Sequence, residues 1–185
     1  MKDELVDAAY QHLLAQGFDN LSAIGISAAC GVSKRTFYKT FASLDEFLDL
    51  LMDKICAAIR AEFAAFLSPG LTADTASIEA LFTRMPRLFG RYFEKFMLDM
   101  RKVRPDLVQK LLTVRRAEFR LVAEKIIAAA GKSVAKRNLS KRVAADMLQT
   151  LVDQLATPEY LLESGENMPQ IAHTIAQIYL NGIVH

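Results

Sequence analysis

The sequence predicts an all-α protein, and three observations carry that expectation. Glycine and proline are sparse, 8 and 5 in 185 residues, while 52% of the residues are apolar, enough for a core and too many for a disordered chain. Apolar residues recur at three- and four-residue spacing, and alternating β-branched runs are missing. Helix start and stop signals follow one another at helical lengths from one end to the other. About nine helices are expected. Residues 1–48 are expected to form a three-helix domain, a fourth helix runs on to about residue 66, and residues 49–185 form a second helical domain.

The first helix is expected from about Lys2 to Gln16, with Leu5, Ala9 and Leu13 as its buried stripe. Gly17 stops it, and Phe18 folds back on Leu13 as in a Schellman ending. A short second helix runs from its cap Ser22 to Cys30. Gly31 supplies the left-handed residue of a tight turn. Ser33 caps the third helix, with Val32 and Phe37 as a hydrophobic staple. Ser43 and Glu46 form a capping box that opens the fourth helix, ended by Ser68-Pro69-Gly70. The fifth is expected over about Ser77–Lys102 with a kink at Pro86, and Pro105 begins a short sixth. The seventh covers about Val114–Ala130 and the eighth Ser140–Ala156. Thr157-Pro158 opens a further turn that ends by Gly165, and Asn167 caps the last helix, which continues almost to His185.

Charge is unevenly distributed. Residues 1–66 hold six Lys/Arg against nine Asp/Glu, and residues 67–185 hold 17 against 12. Yet no acid occurs between Asn20 and Phe41, and GVSKRTFYKTF inside that window carries Lys34, Arg35 and Lys39. At about 100° per residue, Phe37 and Phe41 share one helix face while Arg35 and Lys39 lie nearly opposite, flanked by Tyr38 and Thr36. A short helix, a turn starting at glycine and a second short helix make a helix-turn-helix. Its outer face offers cations, a phenol, a hydroxyl and a helix N-terminus, groups that contact phosphates and base edges in a major groove. A solvated charged face is the plainer account of such a helix. The Gly31/Ser33 turn, the aromatic inner face and the absence of acids favour DNA over it.

Residues 5–52 resemble the DNA-binding domain of the tetracycline-repressor (TetR) family of bacterial transcription regulators. The likeness rests on Gly17-Phe18, Ser22, Ile26-Ser27, Cys30-Gly31-Val32-Ser33, Lys34-Arg35-Thr36-Phe37-Tyr38, Phe41, Ser43, Glu46 and Phe47. It covers roughly a quarter of the chain. Leu44 stands where many members carry a phosphate-contacting Lys, Cys30 replaces the usual Ala, and Gly25 sits inside the second helix. The resemblance implies Ser22, Ser33, Lys34, Arg35, Thr36, Tyr38, Lys39 and Ser43 as DNA-contacting residues. It also implies a homodimer on a pseudo-palindromic operator and a ligand-responsive repressor whose C-terminal domain dimerises and takes an effector.

The residues themselves support a dimer. From Asn167 to His185 there is no Asp, Glu, Lys or Arg. Ile171, Ile175, Ile178 and Ile183 make one stripe. Gln170, His173, Thr174, Gln177 and Asn181 make another that is polar but uncharged. One side is expected on the chain's own domain and the other on a twin, with burial inside the monomer as the alternative. The candidate interface is Val143, Met147, Leu151, His173, Gln177 and Asn181. For an effector, the candidate lining is Met85, Phe89, Tyr92, Phe93, Phe96, Met97, Phe119 and Met147; such stripes also serve as plain core. The Pro86 kink and the methionines favour a small, mostly apolar or amphipathic ligand. Arg84, Arg87, Arg91 and Lys95 form a basic strip, either solvated or facing an acidic ligand.

Other classes find less support. There is no Glu-x-x-His pair for a di-iron bundle and no Gly-rich phosphate loop. His12, His173 and His185 join no Cys or acid cluster, so no zinc site, cofactor or catalytic residue is expected. Cys30 and Cys56 are not a disulfide framework; Cys30 reads as a small core residue before a thiol switch, and a reducing cytoplasm is expected. The N-terminus lacks the pattern of a signal peptide, and no apolar run reaches about 18 residues, so no membrane span is expected. The rival to a ligand-responsive repressor is a DNA-bound protein of the same fold whose second domain binds a protein partner.

Overall fold

A computed structural model describes residues 1–67, 80, 93–129, 138, 140–155, 157, 160 and 163–183. Among these, eight helices and no strands occur: α1 Lys2–Ala15, α2 Ala23–Ala29, α3 Lys34–Thr40, α4 Leu44–Phe66, α5 Phe93–Val103, α6 Pro105–Ala129, α7 Lys141–Leu155 and α8 Met168–Ile183. The all-α expectation holds. Most of the expected fifth helix, including Pro86, and the stops at 68–70 and Gly131 lie outside the described residues. Two compact units are formed by the described residues of Met1–Arg60 with Leu88–Arg115, and of Ala61–Arg87 with Arg116–His185. α4 is continuous both through residue 48, where the sequence analysis divides the chain, and through the 60/61 junction.

In the first unit, α1 packs on α2 and α5, and α2 on α3. Its core holds Val6, Ala9, Leu13, Phe18, Ile26, Phe37, Phe41, Phe47, Leu51 and Ile55, all buried. α1 ends with the Gly17 N–H on Leu13 O at 3.2 Å, the simpler left-handed cap where a Schellman pair was expected. Phe18 stacks on His12, with centroids 5.7 Å apart, and meets Phe96 at 6.3 Å, which in turn meets Phe93 at 5.9 Å. Lys95 reaches the same corner, donating to Phe18 O (2.8 Å) and Asp19 O (3.2 Å). Of the basic strip, Lys95 is therefore a brace on the α1–α2 turn; Arg84, Arg87 and Arg91 lie outside the described residues.

One expected boundary is absent. The sequence divides residues 105–130 into two helices, whereas α6 is a single helix of 25 residues. Leu107, Val108, Leu111, Val114, Val122, Ala123 and Ile126 are all buried. One stripe thus runs through Thr113-Val114, and the β-branched pair does not interrupt a helix packed along its length.

The second unit buries Phe63, Phe119, Val122, Ile126, Leu148, Val152, Ile171 and Ile175. α6 is tied to α7 by Arg116–Asp153 (3.0 Å) and Arg120–Asp146 (2.6 Å), and α7 packs on α8. Asn167 and Gln170 cap α8 reciprocally, each side chain accepting the other's N–H at 3.0 and 2.9 Å. The buried face of α8 is Ile171, Ala172, Ile175 and Ala176. Ile178, expected on that stripe, is 65% exposed. The small alanines turn the packed face toward themselves and leave Ile178 at the edge of the polar side.

Candidate nucleic-acid interface

The candidate interface is built from three serine caps and one glycine turn. Ser22 opens α2, its hydroxyl accepting the Gly25 N–H at 3.1 Å and donating to Asn20. A Cβ on Gly25 would stand 2.6 Å from Asn20 Oδ1 and 3.0 Å from Asn20 O. That close approach accounts for a glycine in a helix interior, where it costs about 1 kcal/mol against alanine. α2 ends in a full Schellman motif: Val32 N–H donates to Ser27 O (2.9 Å) and Gly31 N–H to Ala28 O (3.1 Å). Gly31 has φ +68° with open space around it, so backbone conformation rather than crowding requires glycine there.

Ser33 opens α3 by accepting the Thr36 N–H at 3.0 Å, and the two hydroxyls lie 2.9 Å apart. Inside, Phe37, Phe41 and Phe47 form a triangle with centroids 5.1 to 5.3 Å apart. Thr40 is also buried and returns its hydroxyl to Thr36 O at 2.9 Å. Outside, Lys34, Arg35, Tyr38 and Lys39 are exposed. Among the described residues no carboxylate pairs with these three cations. Tyr38 and Phe37 meet in a T-shaped pair (5.4 Å, 87°), and Lys34 Nζ lies 5.9 Å from the Tyr38 ring. The helix thus presents a phenol locked by its own core and three cations free to neutralise phosphate.

Ser43 opens α4 by accepting the Glu46 N–H at 3.0 Å. Glu46 closes the box one residue earlier than expected, on the Ala42 N–H at 2.6 Å. Lys2 pairs with the other Glu46 oxygen. The Lys2 hydrogen bond first, and the Ala42 N–H second, hold the Glu46 carboxyl below its ordinary value. Leu44 is half-buried. The eight residues assigned to DNA fall on the segment from α2 to the start of α4, five along α3 and three as the caps of α2, α3 and α4. The long-range partners of Lys2, Lys95 and Arg104, 44 to 77 residues away in the chain, leave no local signal in the sequence.

Of the expected pocket residues, Met85, Phe89 and Tyr92 lie outside the described residues. Phe96 is buried against Phe18 and belongs to the core of the first unit, with Phe93 and Met97 half-buried on the same helix. Phe119 is buried in the second unit. Met147 is 53% exposed and, with Val143, Asp146, Thr150 and Leu151, lines an open depression on α7. Gln149 Oε1 on the same helix is buried without a hydrogen-bond partner among the described residues. Of the expected interface, Val143 is exposed, Leu151 and Gln177 half-buried, and His173 exposed; nothing is described of the Asn181 side chain.

Cys30 and Cys56 are free, and burial pushes both thiols above their ordinary value. That keeps them in the less reactive protonated form. Among the described residues no group of three or more His, Cys, Asp or Glu is placed to hold a metal ion. No described helix is long and apolar enough to cross a membrane.

Residues 5–51 match the family model of the tetR family of bacterial regulatory proteins. The match places a tetR-family DNA-binding segment in the first quarter of the chain. No curated protein matches the sequence significantly. Solved structures of TetR-like regulators share the fold along the chain. Fatty acid degradation regulator FadR from Bacillus halodurans is similar with a TM-score of 0.64 at 18% identity, over 100% of this chain and 96% of that one. FadR from Bacillus subtilis in complex with stearoyl-CoA gives 0.63 at 15%, over 99% and 100%. AmtR of Mycobacterium smegmatis gives 0.53 at 20%, over 96% and 85%. At these identities the likeness is one of fold. Within the matched segment, α2 and α3 form the helix-turn-helix.

Proposed function

We propose that this protein is a regulator of the TetR family, a ligand-responsive repressor that binds a pseudo-palindromic operator as a homodimer in the cytoplasm. The observation that carries the DNA half is the outer face of α3, where Lys34, Arg35, Tyr38 and Lys39 stand exposed over a fully buried phenylalanine triangle. Two such helices in a dimer read half-sites about one helical turn or more apart. Tyr38→Ala and Lys39→Ala are expected to weaken binding to a duplex that the parent protein selects from a random pool. Arg35→Ala should in addition blur the base preference, since one good bidentate base contact is worth about 1–3 kcal/mol of discrimination. Footprints identical to the parent's for all three variants would take α3 off the DNA.

For the effector we favour a small, mostly apolar or amphipathic molecule. Support comes from the methionine- and phenylalanine-rich stretch at 85–100 and from the buried Gln149 oxygen, which has no partner among the described residues and is an acceptor for a ligand's polar group. It comes also from the stearoyl-CoA held by the Bacillus subtilis FadR, an amphipathic ligand on the same fold. Stearoyl-CoA is therefore the first probe. Coupling of about 1–3 kcal/mol is expected, and it must be reciprocal: operator DNA weakens ligand binding by the factor by which ligand weakens DNA binding. Binding of acyl-CoA with equal affinity in the presence and absence of operator would remove it as the signal. Failure of acyl-CoA and of other amphipathic ligands to bind would leave a protein partner for the second domain.

A further inference from the structure

Arg104 is the single residue between α5 and α6, and its backbone belongs to both helices. Its N–H donates to Met100 O at 2.7 Å, closing α5, and its carbonyl accepts the N–H groups of Leu107 (3.1 Å) and Val108 (3.4 Å), opening α6. The side chain then turns to α4. Nη2 lies 2.8 Å from Asp49 Oδ1, and Nη1 lies 3.5 Å from Asp45 Oδ1 and 3.5 Å from Asp45 O. Nε and Nη2 together hold the Asp106 carboxylate at 3.0 and 2.8 Å. Farther along both helices Lys110 Nζ takes Asp53 at 2.6 Å. Asp45, Asp49 and Asp53 are spaced by four on α4, so one acidic stripe meets two cations of the α5–α6 corner.

Isolated surface ion pairs contribute little to stability. Arg104 differs in two respects. Its side chain is only 20% exposed, and its rigid fork is shared by carboxylates on two helices, which a point-charge ammonium cannot reproduce. What it grips also matters. Asp45 and Asp49 lie in the first turns of α4, next to the Ser43 cap, and only Phe41–Ser43 separate α4 from α3. Phe47 on the same turns packs on Phe37 of α3 at 5.3 Å. A tilt of the start of α4 is therefore a tilt of α3.

We infer that Arg104 is a positioning residue for DNA recognition: it fixes the angle of the first turns of α4, and with them the direction in which α3 is presented. The inference rests on α3 being the reading element of a dimer. A clamp of this kind controls how strictly a dimer measures the distance between half-sites, while leaving the base contacts of each α3 as they were. An ion pair that serves stability alone would lower the melting temperature and weaken all duplexes alike.

The test uses the full-length protein and a duplex that the parent selects from a random-sequence pool, together with versions carrying one base pair more or fewer at its centre. The parent is expected to lose about tenfold or more on either altered spacer, because each base pair both shifts and rotates the half-site. Arg104→Gln should bind the selected duplex several-fold more weakly and discriminate spacers by less than about threefold, with half-site preference unchanged. Asp49→Asn should act in the same direction, and Arg104→Lys should fall between parent and Arg104→Gln. Thermal melting shows that each variant is folded. If folded Arg104→Gln keeps the parent's spacer discrimination, or loses affinity by the same factor on all three duplexes, the positioning role is overturned. If the parent itself selects no sequence, the DNA reading fails first, before any variant is made.

Discussion

Phe37→Ala should destabilise the protein by about 3–5 kcal/mol and abolish specific DNA binding, the largest stability effect expected within the DNA-binding unit. Phe37 is 2% exposed and is the corner of the phenylalanine triangle shared by α3 and α4. Removing its ring leaves a cavity between Phe41 and Phe47, and it removes the ring that Tyr38 packs against. α3 has seven residues, too few to be helical alone, so it depends on this packing. A melting temperature lowered by roughly 10 °C is the expected reading. Tyr38→Ala is the control: its ring is 48% exposed, so the variant should melt close to the parent while losing affinity for DNA. A Phe37→Ala protein that melts like the parent would show that the triangle does not anchor α3.

The contrast between those neighbours also shows which parts of the structure are legible in the sequence. The serine caps and the glycine turn of the helix-turn-helix, closed within four or five residues, could be read directly. Ser22, Ser33 and Ser43 cap the helices they were expected to cap, and Gly31 makes the expected left-handed turn. Such features depend on local hydrogen bonds whose donors and acceptors are fixed by chain spacing. The inside and outside of α3 followed from periodicity alone. Features decided by tertiary packing did not. The unbroken α6 depends on a buried stripe that the chain's own residues cannot distinguish from two shorter ones. The rotation of α8 that exposes Ile178 depends on which face its alanines let approach α7. The clasp of Lys95 on the α1–α2 turn and that of Arg104 on α4 join residues more than 50 positions apart, and a charged residue carries no mark of its distant partner.

The second large effect concerns α7 and α8, where two kinds of charge insertion should part company. Ile175 is 2% exposed among Ile171, Ala172 and Ala176, and a carboxylate placed there is buried without a partner. Ile175→Glu should therefore cost several kcal/mol and leave the second unit unfolded. Met147 and Ile178 are 53% and 65% exposed in the single chain, so Met147→Glu and Ile178→Glu bury no charge in a monomer and should leave its melting nearly unchanged. Exposed apolar groups on two adjacent helices, beside an α8 that carries no charged residue at all, are what a second copy of the chain would cover. In a two-fold dimer each substitution appears twice in one interface, and the like charges oppose its closure. Both variants should then run as folded monomers in light scattering. Their operator affinity should fall by about a hundredfold or more, because the two half-sites are no longer bound as one event. Affinity of a single α3 for a half-site should persist at low salt, where phosphate contacts count most. If both proteins keep the parent's mass in solution, the twin of this chain does not sit on α7 and α8, and the uncharged face of α8 serves a different contact.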